Sequence, residues 1–199
     1  MGLIRKQANS SLRGKIEDWL KQWTEPECKY TIGDDMKINS SCISVGGFEG
    51  EVFPDYIQFG DVEFFYVGYC PNLRSCEGFP LSAVKLEISH CNGIRDLNFH
   101  QDAKYNLLIL TSLQIESLGQ LPDTIKMLEI WCCDNLQSLK GCPQHLKSLV
   151  LRHNTSLTIE DFPTNTIDRL IIGNNPMIYN KYTKEEISKI IKNKYFSYF

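Results

Sequence analysis

The residue types that could do chemistry are present in this chain, but not at the spacings that common active sites use. The sequence contains no GxGxxG, no GxxxxGK followed by Ser or Thr, no HExxH and no GxSxG. It therefore indicates no phosphate-binding loop, zinc protease or nucleophile elbow. His90 stands next to Cys91, but adjacent strand residues point to opposite faces, so these two side chains cannot share a proton. We expect no enzyme activity, no catalytic residues and no cofactor.

The eight cysteines are placed as structural residues rather than as metal ligands. Zinc sites use paired ligands such as CxxC, and neither Cys70 with Cys76 nor Cys132 with Cys133 has that spacing. The N-terminal residues lack the apolar segment of a secretory signal, so we expect reduced thiols in a cytoplasmic protein and no metal site. Three cysteines and two asparagines share one position of a repeat: Cys70, Cys91, Cys133, Asn154 and Asn175. We expect these side chains to bond backbone groups where a strand ends.

A repeat of twenty to twenty-two residues runs from about residue 62 to residue 178. For example, FPLSAVKLEISHC at 79–91 aligns with LPDTIKMLEIWCC at 121–133. Paired apolar residues recur in every unit: Phe65/Val67, Leu86/Ile88, Leu108/Leu110, Leu128/Ile130, Leu149/Leu151 and Leu170/Ile172. A further apolar column has a spacing of 21 residues: Leu73, Ile94, Ile115, Leu136, Leu157 and Ile178. Self-similarity at this period predicts a leucine-rich-repeat solenoid of about six coils.

The predicted fold class is an α/β repeat solenoid with a parallel concave β-sheet, an extended convex side and helical caps at both ends. The apolar pairs would form short strands, and six strands spaced ~4.8 Å apart make a sheet roughly 25–30 Å wide. Prolines in the return segments (Pro80, Pro122, Pro143 and Pro163) favour extended backbone over helix. The segment after Ile88 lacks proline, so we expect an irregular loop there.

Three regions follow from this pattern. Residues 1–61 are predicted to be an N-terminal cap, residues 62–178 the repeats, and residues 179–199 a C-terminal capping helix. Thr183 and Glu186 form the sequence signature of a capping box, and the apolar spacing after it continues to Tyr195. Such caps would shield the apolar ends of the stack from water.

The N-terminal cap is predicted to contain an amphipathic helix over residues 10–24, with Ser10 or Ser11 as its N-cap. Its apolar residues fall on one face: Leu12, Ile16, Trp19, Leu20 and Trp23. Short β-prone segments follow over 29–32, 36–38 and 42–45.

The residues expected to point away from the core do not have the composition of a merely solvated surface. Aromatic and aliphatic side chains alternate there with glutamate and arginine. The candidate partner-binding residues are Phe64, Tyr66, Glu87, Ile109, Met127, Glu129, Trp131, Val150, Arg152, Arg169 and Ile171. Exposed apolar surface in a charged surround usually marks an interaction site, and Trp, Tyr and Arg are enriched at binding hot spots. The alternative is that the termini of the chain cover part of this face.

Charge and hydropathy restrict the kind of partner. The net charge is −3 and no lysine or arginine cluster stands out, which argues against nucleic acid. No apolar stretch approaches the ~20 residues needed to cross a bilayer, so we expect no membrane partner. Glu87 and Glu129 would lie two coils apart, about 9–10 Å by strand spacing, which is compatible with an inverting glycosidase. A flat sheet offers no enclosed pocket, so a hydrolase is a remote third possibility.

The repeats resemble two groups of known proteins. The pattern LPxxIxxLxI followed by NLxSLxGCP is similar to the short bacterial class of leucine-rich repeats, which occurs in effectors injected into host cells. Some of those effectors carry a C-terminal ubiquitin-ligase domain with a catalytic cysteine. We expect a capping helix at the end of this chain, so the resemblance does not imply that activity.

A second resemblance covers nearly the whole chain. Tyr-Thr-Ile at 30–32, an acidic turn at 34–35, Phe-Gly-Asp-Val at 59–62, Cys-Pro-Asn-Leu-Arg-Ser at 70–75 and Gly-Phe-Pro at 78–80 resemble small leucine-rich-repeat-like proteins of tailed bacteriophages. Cys76 stands where Leu is usual, and the proline expected after Leu97 is missing. The resemblance implies a protein of the infected bacterial cytoplasm and supplies no catalytic residues.

We therefore expect a non-enzymatic protein-binding module whose concave face holds a bacterial host or host-defence protein that it inhibits or redirects. The alternative is a structural or assembly role through homo-oligomerisation. The oligomeric state is open, and light scattering after size exclusion separates the two: a monomer favours the first and a stable dimer or ring the second.

Overall fold

A computed structural model of the chain describes residues 2–159, 167–190 and 195–198. It consists of one nine-stranded sheet whose strand order follows the sequence. The strands are β1 (Thr31–Ile32), β2 (Ile38–Gly46), β3 (Phe59–Gly68), β4 (Lys85–Ser89), β5 (Leu107–Thr111), β6 (Met127–Trp131), β7 (Ser148–Arg152), β8 (Arg169–Gly173) and β9 (Tyr195–Tyr198). Strands β2 to β9 are parallel, and β1 is antiparallel to β2. The chain is therefore a solenoid-like stack of coils that each add one parallel strand.

The strands pair in the register that the repeat predicts. Phe65 lies beside Leu86, and the same row continues through the first apolar residue of every later pair up to Leu170. Within the strands β4 to β6, buried core residues alternate with residues of the opposite face. All six residues of the 21-residue column are fully buried, among them Leu73 and Ile178. One continuous core therefore runs along the stack.

The return segments are irregular or extended, because no helix occurs in the described residues between β3 and β8. The segment after β4, for which we expected an irregular loop, also lacks regular structure. It nevertheless supplies six core residues: Cys91, Ile94, Leu97, Phe99, Ala103 and Tyr105. Pro163 lies outside the described residues.

The N-terminal helix α1 spans Gly2–Trp23, so it begins earlier than the predicted start at Ser10 or Ser11. Residues 2–9 contain good helix formers and no proline, so nothing in them stops the helix. Its apolar face is buried as predicted: Ile16, Trp19 and Leu20 are 0–5% exposed. Trp19 packs edge-on and tilted against two phenylalanines of the loop after β2, Phe48 and Phe53, with ring centroids 5.4–5.7 Å apart.

The outer edge of β2 is covered by the chain itself. Residues 24–32 run antiparallel to it, beginning at a bridge between Thr24 and Val45 and ending with β1. The backbone N–H of Glu25 donates to the Ser44 carbonyl at 3.1 Å. This arrangement satisfies backbone groups that an open strand edge would expose.

The C-terminal region differs from the single helix that we predicted over 179–199. It contains a short helix α2 (Pro176–Lys181), a second helix α3 (Lys184–Ile190) and the strand β9. The capping box is present: the Thr183 N–H donates to Glu186 Oε2 at 2.8 Å, and the Glu186 N–H donates to Thr183 Oγ1 at 3.2 Å. Tyr195 pairs with Arg169 in the sheet instead of extending a helix. The sequence Tyr-Phe-Ser-Tyr has high strand propensity, and β8 offers it a parallel edge.

Candidate functional site

The face of the sheet that points away from the core carries three columns of side chains, and we call it the outer sheet face. Residues of neighbouring strands stand side by side in each column. The first column is Phe64, Lys85, Leu107, Met127, Ser148 and Arg169; the second is Tyr66, Glu87, Ile109, Glu129, Val150 and Ile171; the third is Gly68, Ser89, Thr111, Trp131, Arg152 and Gly173. All eleven predicted partner-binding residues therefore lie together on one face.

Their exposure is uneven. Phe64 is 41% exposed and Arg169 is also exposed, whereas most of the other predicted residues are half-buried. Two predictions need correction, because Val150 and Ile171 are only 3% and 9% exposed and offer little surface to a partner. Val150 shares its strand with Arg152, whose longer side chain stands in the adjoining column, and Ile171 stands beside Val150. Neither belongs to the hydrophobic core on the other side of the sheet.

Trp131 is the centre of a polar and aromatic cluster near the middle of this face. Its indole Nε1–H donates to Glu129 Oε2 at 3.3 Å. The guanidinium carbon of Arg152 lies 4.9 Å from the Trp131 ring centroid, which is a cation–π distance. Arg152 Nε is buried and has no hydrogen-bond partner among the described residues. The cluster thus combines a half-buried aromatic ring with an arginine whose donor capacity is not used up.

Near the N-terminal end of the outer sheet face, the charged side chains of Lys85 and Glu87 pair with each other. Lys85 Nζ lies 3.2 Å from Glu87 Oε2. The ring of Tyr66 leans over Gly68, where a Cβ would collide with it. Burial raises the pKa of the Tyr66 hydroxyl, and a hydrogen bond with Ser89 opposes that rise. Tyr66 is therefore positioned by its neighbours and presents an uncharged hydroxyl.

The shared cysteine and asparagine position behaves as the sequence predicts. Asn154 and Asn175 are fully buried, and Asn154 Oδ1 accepts the N–H of Cys133 at 2.9 Å. Asn154 Nδ2 donates to the Ile130 carbonyl at 3.1 Å. Cys133 Sγ donates more weakly to the Trp131 carbonyl at 3.6 Å. These side chains satisfy backbone groups where the strands end and so hold the outer sheet face in register.

One structural feature of the site was not predicted from the sequence. The residue that follows each strand from β3 to β8 is in the left-handed conformation, with φ between 52° and 56°: Tyr69, His90, Ser112, Cys132, His153 and Asn174. Only asparagine and, less strongly, histidine favour this region, so residue type alone gives no usable signal. The signal that could have revealed it is position, because each of these residues directly precedes the buried cysteine and asparagine ladder or its equivalent.

Two carboxylates lie in the columns of the outer sheet face, those of Glu87 and Glu129. Among the residues that the structure describes, no group of three or more His, Cys, Asp or Glu side chains could hold a metal ion. The two carboxylates of the glycosidase alternative are both engaged, Glu87 with Lys85 and Glu129 with Trp131. Within the same described part of the chain, no helix is both long and apolar enough to cross a membrane.

Comparisons with known proteins add no family. A scan against protein-family models, a search of curated proteins and a search of solved structures each found no match. The resemblance to phage repeat proteins therefore stays a prediction from the sequence.

Proposed function

We propose that this chain is a non-enzymatic protein-binding module that holds a partner on the outer sheet face. The observation that carries the proposal is the composition and geometry of that face. A half-buried tryptophan lies against an arginine at its centre, and aliphatic and aromatic side chains surround them. Tryptophan, tyrosine and arginine dominate the energetics of protein interfaces, and charged residues at the rim of an apolar patch are typical of interaction sites.

The cost of leaving such a face in water supports the proposal. Ile109, Met127 and Trp131 are half-buried rather than fully exposed, so a partner would complete the burial of their apolar surface. Each fully buried aliphatic side chain contributes about 1.5–3 kcal/mol relative to full exposure. A face used only for solvation would carry lysine, glutamate, serine and threonine at these positions instead.

We also propose that the solenoid is of the leucine-rich-repeat type, with a concave outer sheet face and caps at its two ends. The repeat spacing and the proline-containing return segments support the repeat type. The burial of α1 and the chain segment along β2 support an N-terminal cap, and α3 with its capping box supports a C-terminal one.

The identity of the partner follows from resemblance alone. Because the chain resembles phage-encoded repeat proteins, we propose a host or host-defence protein in the cytoplasm of the infected bacterium. Binding would inhibit that protein or redirect it. The composition of the outer sheet face supports only the class of partner, which is a protein.

The test is affinity purification from expressing bacteria, followed by quantitative mass spectrometry. The double variant Trp131→Ala, Arg152→Glu should lose the partner, because truncating a hot spot costs about 2 kcal/mol or more, roughly a thirty-fold loss of affinity. Lys140→Glu, a charge reversal at an exposed position of a return segment, is the matched control and should retain it. Equal recovery by both variants would contradict the proposal, and a bait found only as its own dimer by light scattering would favour the assembly role.

A further inference from the structure

The left-handed residues form a strip along one rim of the sheet, just beyond the outer sheet face. We call this strip the rim: it comprises Gly47 and the six left-handed residues that follow β3 to β8. The six rim residues from Gly47 to His153 each donate their backbone N–H to the carbonyl of the last residue of the next strand at 2.9–3.1 Å. Consecutive rim residues therefore stand in consecutive coils, separated by the strand spacing of about 4.8 Å.

Two rim side chains are stacked. The rings of Tyr69 and His90 lie 4.6 Å apart with an interplanar angle of 8°. This separation is close to the strand spacing, so the axis of the stack runs from coil to coil. Ser89 Oγ lies 2.6 Å from His90 Nδ1 and fixes the histidine ring. Tyr69 is 62% exposed although one face of its ring is covered by His90.

The next place in the stack is open. Gly47 holds the rim position of the preceding coil, as shown by the pairing of Gly46 with Gly68 directly before it. It has the same left-handed backbone, with φ of 66°. Apart from its two chain neighbours, a Cβ built on Gly47 would meet no heavy atom of the described residues within 4 Å, and the neighbour Phe48 is itself buried. The rim position next to Tyr69 in the preceding coil therefore carries no side chain.

We propose that Tyr69 and the space over Gly47 form a binding site for a planar aromatic side chain of a protein partner. The inserted ring would be the third in a stack that the fold has already started, in the parallel offset geometry that aromatic pairs favour. The surroundings disfavour a nucleotide, because the carboxylates of Glu25, near Gly46, and of Glu49, two residues after Gly47, would repel its phosphate, whereas Glu51 is paired with Arg74. Glu25 Oε1 lies 3.6 Å from the Cβ position of the adjacent Gly46 and offers a hydrogen-bond acceptor beside the site, so we propose tryptophan, whose indole N–H can donate, as the occupant.

This site is separate from the residues of the proposed partner-binding face. None of the eleven predicted residues belongs to the rim, so failure of one proposal does not imply failure of the other. A partner that lies across the outer sheet face could extend one aromatic side chain over its edge to reach Tyr69.

The residues at equivalent rim positions suggest a substitution that would fill the site. Equivalent rim positions hold tyrosine and histidine at nearly the same φ, so Gly47→Tyr is compatible with the local backbone and would occupy the open place. Tyr69→Ala removes the ring on which the ligand stacks. Tyr56→Ala is the matched control, since Tyr56 is also exposed but lies away from the rim.

The experiment is a nuclear magnetic resonance titration with N-acetyl-tryptophanamide as the probe. We expect saturable shifts of the Gly47 amide and the Tyr69 ring protons that persist in Tyr56→Ala and disappear in Gly47→Tyr. Tyr69→Ala should abolish the Gly47 shift, which keeps the test valid if Gly47→Tyr folds poorly. Three results would overturn the proposal: no saturable shift at Gly47, the same shift with N-acetyl-leucinamide, or stronger binding of adenosine monophosphate than of the indole probe.

Discussion

Where the chain turns at the ends of several strands, a buried asparagine or cysteine side chain bonds the backbone. Asn154 bonds the backbone on both sides of it, and its own N–H donates to Asn175 Oδ1 at 3.1 Å. Asn175 in turn donates to the carbonyls of Leu151 and Gly173, each at 2.9 Å. The asparagines are the stronger members of the ladder, because an amide N–H is a better donor than the Cys133 thiol.

Asn154→Ala should destabilise the fold by about 3 kcal/mol or more, because it leaves the N–H of Cys133 and the carbonyl of Ile130 buried without partners. Asn135→Ala is the control, since Asn135 is exposed and its amide bonds only Gln114; it should change stability by about 0.5 kcal/mol or less. Urea unfolding measures both variants. Equal losses would show that the buried amide does not hold the coils together.

Because its thiols are buried, we expect the protein to lose stability at alkaline pH. Burial raises the pKa of Cys133 and of Cys142 to about 12, from an ordinary value of 9.0. The unfolded chain releases these thiol protons at lower pH than the folded chain does. The contribution of the two thiols to the free energy of unfolding is therefore complete below pH 9 and falls as the pH rises towards 12.

Cys142→Ala should therefore flatten the alkaline decline of the unfolding free energy by about 1.4 kcal/mol per pH unit above the ordinary thiol pKa. The variant will be less stable at neutral pH because it loses packing, but only the slope tests the thiol. Chemical denaturation of both proteins at several pH values between about 8 and 11 gives the slopes. Parallel curves would contradict the assignment.

At the scale of the element, each coil depends on one residue of the fully buried apolar column. Leu136 belongs to that column and contacts only the interior. Leu136→Asp should unfold the array, because it places an unpaired charge in the core. Leu81→Asp, at a position that is 41% exposed, should melt almost like the parent chain. Circular dichroism follows both transitions, and an unchanged melting curve for Leu136→Asp would refute the register.

The elements that repeat were predictable, and those that occur once were less so. Six coils reinforce one another, so the core columns and the neighbours of Trp131 follow from spacing alone. The start of α1 was predicted late, because Ser10 and Ser11 look like caps but lie in the interior of the helix. The segment at 195–198 fits helical and strand spacing equally well, and only the edge of β8 decides between them.

Parts of the candidate site could not be predicted because they depend on neighbouring side chains. Val150 and Ile171 were placed on the right face, but their burial is set by the packing around them and not by their position in the repeat. The left-handed turn after each strand is set by closure of the coil and not by residue type, as Tyr69 shows. The open place over Gly47 becomes visible only when the rings of neighbouring coils are seen in a stack.

Across the whole molecule, the parallel sheet brings residues that are far apart in sequence onto one continuous face. The β2 edge of that sheet is covered by residues 24–32, whereas the outer sheet face is broad and continuous from β3 to β8. The Trp131 cluster and the Tyr69 stack lie on different coils of the same side. A single elongated partner could contact both.

Site-specific photo-crosslinking in living bacteria tests most directly whether the outer sheet face binds a protein. The photoreactive residue p-benzoylphenylalanine would replace Ile109 on that face in one variant and Lys140 on a return segment in the other. We predict a discrete covalent adduct with one bacterial protein from position 109 and none from position 140. Adducts from position 140 alone, or the same adducts from both positions, would contradict the central claim.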